Sequence, residues 1–307
     1  MDWDSAYIEG LITAALTEDI GSGDAAVTAT VFPERVVTAR MVAGQELVCA
    51  GLPLVDKILS RVDPEISVET KVAEGRRVAA GAVVAEVNGN AGAILSGGQT
   101  VLNFLSRLCG VATQTRDYVD RIGGVVARIR DSRSTTPGLR QLEQYAVRVG
   151  GGTNSRAGLY DALGLTQEHI RAAGGVKAAL DQAHSHASRL MTPLPLTAYE
   201  ATGTVPSETE ASSLPIQIAI QDEQQLREAL SAGADSVLFE EMSPQQVRRL
   251  AEVARNIRHD CVLEVSGEIP LELVGAYAAT GVDYIAPRGL IRSAPAVDLR
   301  LLVDGWQ

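Results

Sequence analysis

Ile216-Gln-Ile-Ala-Ile220, Ser236-Val-Leu-Phe239, Cys261-Val-Leu-Glu-Val265 and Asp283-Tyr-Ile-Ala286 follow one another between residues 216 and 286, and their order decides the fold. Each run is short and apolar, the pattern of a strand buried in a sheet. Glu223–Ala232 and Pro244–Asn256 carry helical spacing and lie between some of them. Val125-Val-Ala-Arg-Ile-Arg-Asp131 reads as a further strand upstream. Strands alternating with helices make a parallel sheet, here an incomplete (β/α) barrel expected over residues 111–307. Barrels of this kind carry their chemistry at the carboxyl ends of the strands, so the residues after each run are the first to inspect.

Upstream the rhythm differs. Ala6–Thr17 places Ile8, Leu11, Ile12, Ala15 and Leu16 on one helical stripe, and Glu18-Asp-Ile-Gly-Ser-Gly-Asp24 ends it with turn chemistry. Val36–Ala50, Ile66–Val72 and Val83–Val87 alternate as strands do. This predicts a mixed α/β domain over residues 1–110, with C-terminal helices packing back on it. Gln99–Leu108 is helical by period and leads into the barrel. Residues 188–215 break the pattern with Pro193, Pro195, Pro206 and Pro215 among Thr, Ser and Glu. They read as an insertion at the bottom of the barrel, either a surface embellishment or a contact for a protein partner, and not as a lid.

Composition narrows the function classes. The net charge of -11, without a basic run, disfavours nucleic acid as a partner. Cys49, Cys109 and Cys261 are far apart, which fits neither a zinc site nor a disulfide framework and suits a reducing compartment. No apolar run is long enough to cross a bilayer, and Met1-Asp-Trp-Asp-Ser5 shows no signal peptide, so the cytoplasm is the expected location. Lysine chemistry has three candidates, Lys57, Lys71 and Lys177, and none follows a barrel strand.

Five stretches go beyond barrel punctuation. They are Leu16-Thr-Glu-Asp-Ile-Gly-Ser-Gly-Asp24, Leu102-Asn-Phe-Leu-Ser-Arg-Leu-Cys-Gly-Val-Ala112, Asp131-Ser-Arg-Ser-Thr-Thr-Pro-Gly-Leu-Arg140, Gly150-Gly-Gly-Thr-Asn-Ser-Arg-Ala-Gly-Leu-Tyr-Asp161 and Thr280-Gly-Val-Asp-Tyr-Ile285. In this order they closely resemble the quinolinate phosphoribosyltransferase family, whose enzymes use Mg²⁺ to condense quinolinate with phosphoribosyl pyrophosphate and release carbon dioxide. The resemblance implies that Arg133, Arg140 and Arg156 line an acid-binding pocket, since the guanidinium fork binds two carboxylate oxygens at once. It implies turn geometry for Thr135, Thr136, Pro137 and Gly138, and a backbone phosphate nest at Ser266 and Gly267. It also implies a homodimer in which the first domain completes the partner's site.

The departures from the family fall on its charged groups. Ser134 and Thr166 stand where the family has lysines, Ser155 where it has histidine, and Gln99 where it has an arginine reaching the neighbouring subunit. A Glu-x-Glu strand has become Gln217 and Ala219, followed by Gln221, and an Asp-Asn pair has become Glu240 and Glu241. Glycines of the phosphate loops have become Glu268 and Arg288. Cations and acids have gone together, which is what abandoning a Mg²⁺–pyrophosphate ligand would look like. The acids that remain, Glu168, Glu240, Glu241 and Glu268, have two readings. They act on a cationic ligand, a metal or a proton, or they pair with Arg288 and Arg292 and fill the emptied site. Glu240, Glu268 and His169 are the catalytic candidates. Arg133, Ser134, Thr135, Arg140, Ser155, Arg156, Thr166, Gln217, Ser266, Gly267 and Arg288 are the ligand-binding ones.

Three functions follow as expectations. The first is a homologue re-tasked to a different small carboxylate, in specialised biosynthesis, making no nicotinate mononucleotide and needing no cofactor. The second is a non-catalytic binding or scaffold subunit. The third is a surviving phosphoribosyltransferase of altered specificity, which alone would need Mg²⁺.

Overall fold

The computed structural model describes residues 1–187 and 214–306; the expected insertion at 188–215 falls, up to residue 213, outside the described residues. The chain divides into two compact units. The first takes in Met1–Arg116, Arg148–Gly150 and the chain from Ala294 onward. The second takes in Asp117–Val147 and Gly151–Ser293.

In the first unit, α1 (Ala6–Asp19) and α2 (Ala25–Thr30) precede β1 (Val36–Ala43), β2 (Leu47–Val48), α3 (Pro53–Val62), β3 (Ser67–Thr70), β4 (Arg77–Val78) and β5 (Val83–Asn90). Asp24 caps α2 by accepting the Val27 N–H at 2.9 Å. β1 alternates strictly, burying Val37, Ala39, Met41 and Ala43, as the period of two demands. Its partners are β5 on one side and, on the other, β12 (Leu299–Trp306), giving the antiparallel order β12-β1-β5-β3. What returns from the C-terminus is therefore a strand rather than helices. It closes the sheet edge that β1 would otherwise leave open. Helix α4 (Ala91–Arg121) is far longer than the stretch from Gln99 to Leu108 whose period is clearest. Its glycines explain the difference. A Cβ at Gly110 would lie 2.1 Å from the Pro295 carbonyl oxygen, and one at Gly98 would lie 2.6 Å from the Leu301 side chain. Those residues let the returning segment pass against the helix, so they mark packing and not a helix end.

The second unit contains a six-stranded parallel sheet in the order β6-β11-β10-β9-β8-β7, with β6 and β7 at its edges. Its strands are β6 (Arg128–Ile129), β7 (Leu163–Leu165), β8 (Ile216–Ile220), β9 (Ser236–Glu240), β10 (Val262–Gly267) and β11 (Tyr284–Pro287). Between them lie α5 (Arg140–Val149), α6 (Gln167–Ala173), α7 (Val176–Ala187), α8 (Glu223–Ser231), α9 (Pro244–Ile257), α10 (Val274–Ala278) and, after β11, α11 (Gly289–Arg292). This is the open α/β barrel expected. Only the end of the run starting at Val125 is strand, because Val125 and Val126 are exposed, Val126 by 87%.

Register sorts the side chains into two faces. Ile220, Phe239, Val265, Ile285 and Ile129 pair across the sheet in one row, and all are buried. On the alternate face Ser266 pairs with Glu240 and Ala286, while Glu264 pairs with Leu238 and Tyr284. The apolar row anchors the sheet, and the polar row is left for chemistry. Among the described residues Phe239 is the largest side chain wholly buried. Phe239→Ala should cost roughly 3–5 kcal/mol through lost transfer energy and the cavity left behind. A lower midpoint of urea unfolding with an unchanged slope would register it. Among the described residues no helix is long and apolar enough to cross a membrane.

Candidate functional site

The segment after β6 is held from below. Asp131 is fully buried and accepts the Ser155 N–H at 2.6 Å and the Asn154 amide at 2.7 Å. Burial pushes its carboxyl above the usual range, and these hydrogen bonds only partly oppose it. The buried Glu143 of α5 accepts the Thr136 N–H at 2.8 Å and the Thr136 hydroxyl at 2.7 Å, which clamps the turn at residues 135–139. Gly138 has φ +82, a conformation that suits glycine. Ser134 lies in the same turn, its N–H directed to the Ser132 hydroxyl at 3.3 Å.

Arg140, first residue of α5, spends its guanidinium on the fold. Nε donates to Thr135 Oγ1 at 3.1 Å and Nη1 to the Ala157 carbonyl at 2.9 Å. It therefore staples the turn at residue 135 to the loop carrying Arg156. That loop is closed by Asp161, which accepts the Ala157 and Gly158 N–H groups at 2.6 and 3.1 Å. Arg156 lies against Gly164 of β7, where a Cβ would sit 2.7 Å from the guanidinium carbon. Its Nη1 donates to the Ala162 carbonyl at 2.9 Å. Burial lowers the Arg156 pKa and the positive charge of Arg133 lowers it further, while the Asp161 carboxylate pulls the other way. Among the described residues neither arginine has a carboxylate within ion-pair distance.

The polar ends of β8 to β11 are arranged differently. Glu240 lies beside Ser266 at the end of its strand, and burial raises its pKa against the pull of Arg288, with Glu241 and Glu168 adding to the rise. The neighbouring acids are paired. Arg288 Nη1 meets Glu241 Oε1 at 2.7 Å, and Arg292 Nη2 meets Glu268 Oε1 at 2.7 Å. The Ser266 hydroxyl donates to the Ala286 carbonyl at 3.0 Å, and the Arg288 N–H to the Gly267 carbonyl at 2.9 Å. Thr166 is the N-cap residue of α6, and His169 Nδ1 accepts its N–H at 3.1 Å and lies 2.8 Å from its hydroxyl, so His169 completes the cap. The geometry therefore gathers Arg133, Ser134, Thr135, Arg140, Ser155 and Arg156 on adjoining segments. Glu240, Ser266, Gly267, Glu268 and Arg288 form a second group.

Gln217 belongs to a cluster that sequence reasoning missed. Its amide donates to Glu264 Oε2 at 3.1 Å, and Arg130 Nη1 donates to the same oxygen at 2.8 Å. The Arg130 guanidinium stacks 3.8 Å from the Tyr284 ring centre. The signal was present as charged residues inside two apolar strands, where an unpaired charge would be costly.

The Glu240 shift has a consequence for stability. Its folded pKa is raised above the ordinary 4.5, so the native state holds the proton more tightly than the unfolded chain. Stability is then full below the unfolded pKa and falls as pH rises through the window up to the folded one. Glu240→Gln should therefore melt higher than the parent at pH 7, with the gap closing towards about pH 4. Equal melting temperatures across that range would refute it.

Comparison with known proteins places these features. Residues 24–109 match the model of the quinolinate phosphoribosyl transferase N-terminal domain, and residues 111–196 and 197–302 match that of the C-terminal domain. A Bacillus subtilis protein named probable nicotinate-nucleotide pyrophosphorylase (carboxylating) is 35% identical, covering 96% of this chain and 92% of its own. The Mycobacterium leprae nicotinate-nucleotide pyrophosphorylase is also 35% identical, over 94% of this chain and 95% of its own. Among solved structures, NadC from Streptococcus pyogenes superposes with a TM-score of 0.82 at 28% identity, over 98% of this chain and 96% of that one. The Francisella tularensis pyrophosphorylase also gives 0.82, at 30% identity, over 97% and 96%. Both domain models match in order and the similarity spans almost the whole chain, so the protein belongs to the quinolinate phosphoribosyltransferase family.

Proposed function

We propose that this protein binds a small carboxylated ligand, an aromatic or short aliphatic acid, and that it does so without the phosphoribosyl donor. The observation carrying this reading is the seat of Arg156, half-buried against Gly164, where the charge of Arg133 acts against it and Asp161 offsets this only in part. A pyridine carboxylate or a similar acid would supply further negative charge and accept hydrogen bonds from both arginines. Arg140 supports the pocket through Thr135 and Ala157.

The donor side supports the same reading. The residues present do not fit Mg²⁺ and pyrophosphate. Glu241 and Glu268 are tied to Arg288 and Arg292, and burial disfavours ionisation of Glu240. Among the described residues no group of three or more His, Cys, Asp or Glu is placed to hold a metal ion. The setting we propose is specialised biosynthesis, in the cytoplasm, with the chain acting as a homodimer that shares its sites; sedimentation at micromolar concentration would test the last point.

A second reading is favoured by one observation, the 35% identity over 96% of the chain to a protein named for pyrophosphorylase activity. In it, quinolinate and phosphoribosyl pyrophosphate still react, at reduced rate or with altered specificity. Calorimetric titration with quinolinate, other pyridine carboxylates and phosphoribosyl pyrophosphate separates the two. Saturable binding of an acid with no donor binding supports the first; tight donor binding supports the second. Acid binding without turnover of any added donor would describe a binding subunit.

A further inference from the structure

We infer that the Glu241 carboxylate is a tethered anion that occupies the place of a phosphate at the ends of β9 and β10 and so sets the ligand specificity of this pocket. The inference rests on the donor-free reading above and names the residue that enforces it.

Glu241 is the one non-glycine residue with positive φ among those described, at +52. Left-handed backbone is disfavoured for a long side chain and well tolerated by glycine or asparagine, so a strained glutamate needs a compensating contact. The contacts are those of an anion in a receptor. Oε1 meets Arg288 Nη1 at 2.7 Å, and Oε2 faces the backbone N–H of Glu268 at 3.4 Å. Oε2 also lies 2.8 Å from where a Cβ of Gly267 would stand, so the lack of a side chain there leaves its space. The Glu241 N–H donates to the Ser266 carbonyl at 3.0 Å, which holds its backbone against the same strand end. One guanidinium, one outward backbone N–H and a glycine-made recess would equally receive a phosphate oxygen. Here the carboxylate is covalently attached, so it competes at high effective concentration and its charge repels a second anion. The Arg292–Glu268 pair beside it consumes the next available cation.

Removing the tether should open the slot. Calorimetry with inorganic pyrophosphate as the probe should give no saturable binding to the parent at millimolar concentration. Glu241→Asn, which keeps a residue suited to positive φ, should bind it at least about tenfold more tightly. Glu241→Gln, which keeps the length and loses only the charge, should fall between them. Adding Arg288→Ala to Glu241→Asn should abolish the gain, an outcome that a merely structural role for Glu241 would not produce. Parent binding as tight as that of folded Glu241→Asn would overturn the inference, as would no gain in either variant. Loss of folding in both would overturn it too, since Glu241 would then be a structural requirement. Titrating the same proteins with quinolinate reads the arginine pair separately. Acid binding that fails everywhere defeats the proposed function, while the pyrophosphate series still decides the role of Glu241.

Discussion

Arg156→Ala is expected to weaken binding of a pyridine carboxylate by tens-fold or more, with little loss of folding stability. The guanidinium is partly buried against Gly164, and burial and Arg133 both act against its charge in the unliganded protein. A bound carboxylate reverses that penalty and gains a charge-assisted hydrogen bond. Truncating one partner of a desolvated charge pair typically costs roughly 2–5 kcal/mol. Arg156 is only half-buried, so about 2 kcal/mol is the better figure, or some thirty-fold in affinity. Arg133 is exposed, and Arg133→Ala should cost less. Arg140→Ala should act mainly on stability, because its bonds go to Thr135 and Ala157. Gly164→Ala offers a control that keeps the charge, since the new methyl group would push the guanidinium from its seat. Calorimetry on the four variants, with thermal melts beside it, checks the ranking. Indifference of acid binding to Arg156→Ala would sink the proposed pocket.

The other large effect is a rate. Quinolinate, phosphoribosyl pyrophosphate and Mg²⁺ are expected to yield no detectable nicotinate mononucleotide. Losing one preorganised hydrogen-bond donor at a transition state typically costs about 10²–10³ in rate. Ser134, Ser155, Thr166 and Gln217 supply no charge where the resemblance leads one to expect several. Gln217 is moreover bound to Glu264, and Thr166 to the α6 cap. Ordinary enzymes turn over at about 1–10³ per second, so several such losses take the rate below a standard chromatographic assay. Turnover of about one per second or faster would establish the second reading instead.

Alternation was legible in the sequence because it is a local property. A period of two sends Gln217, Glu240 and Ser266 to the face opposite Ile218, Phe239 and Val265, whatever lies around them. The turn residues of 131–140 and the clustering of Arg133, Arg140 and Arg156 on two neighbouring motifs were legible for the same reason. Pairing was not. The apolar run Leu299-Arg-Leu-Leu-Val303 suits a strand near the C-terminus, but nothing local says that it joins β1, whose Val42 pairs with Arg300 across most of the chain. The strand accordingly groups with the first unit, although it follows the barrel in sequence. Charge followed the same rule. Glu241, Glu268, Arg288 and Arg292 could be counted from the sequence, and two roles for the acids stayed open. Which acid meets which arginine depends on where two strand ends and a short helix come to lie, at distances of a few ångströms that only the folded chain defines. The positive φ of Glu241 and the seat of Arg156 on Gly164 are of this kind, since both are imposed by neighbours distant in sequence or by the packing around them.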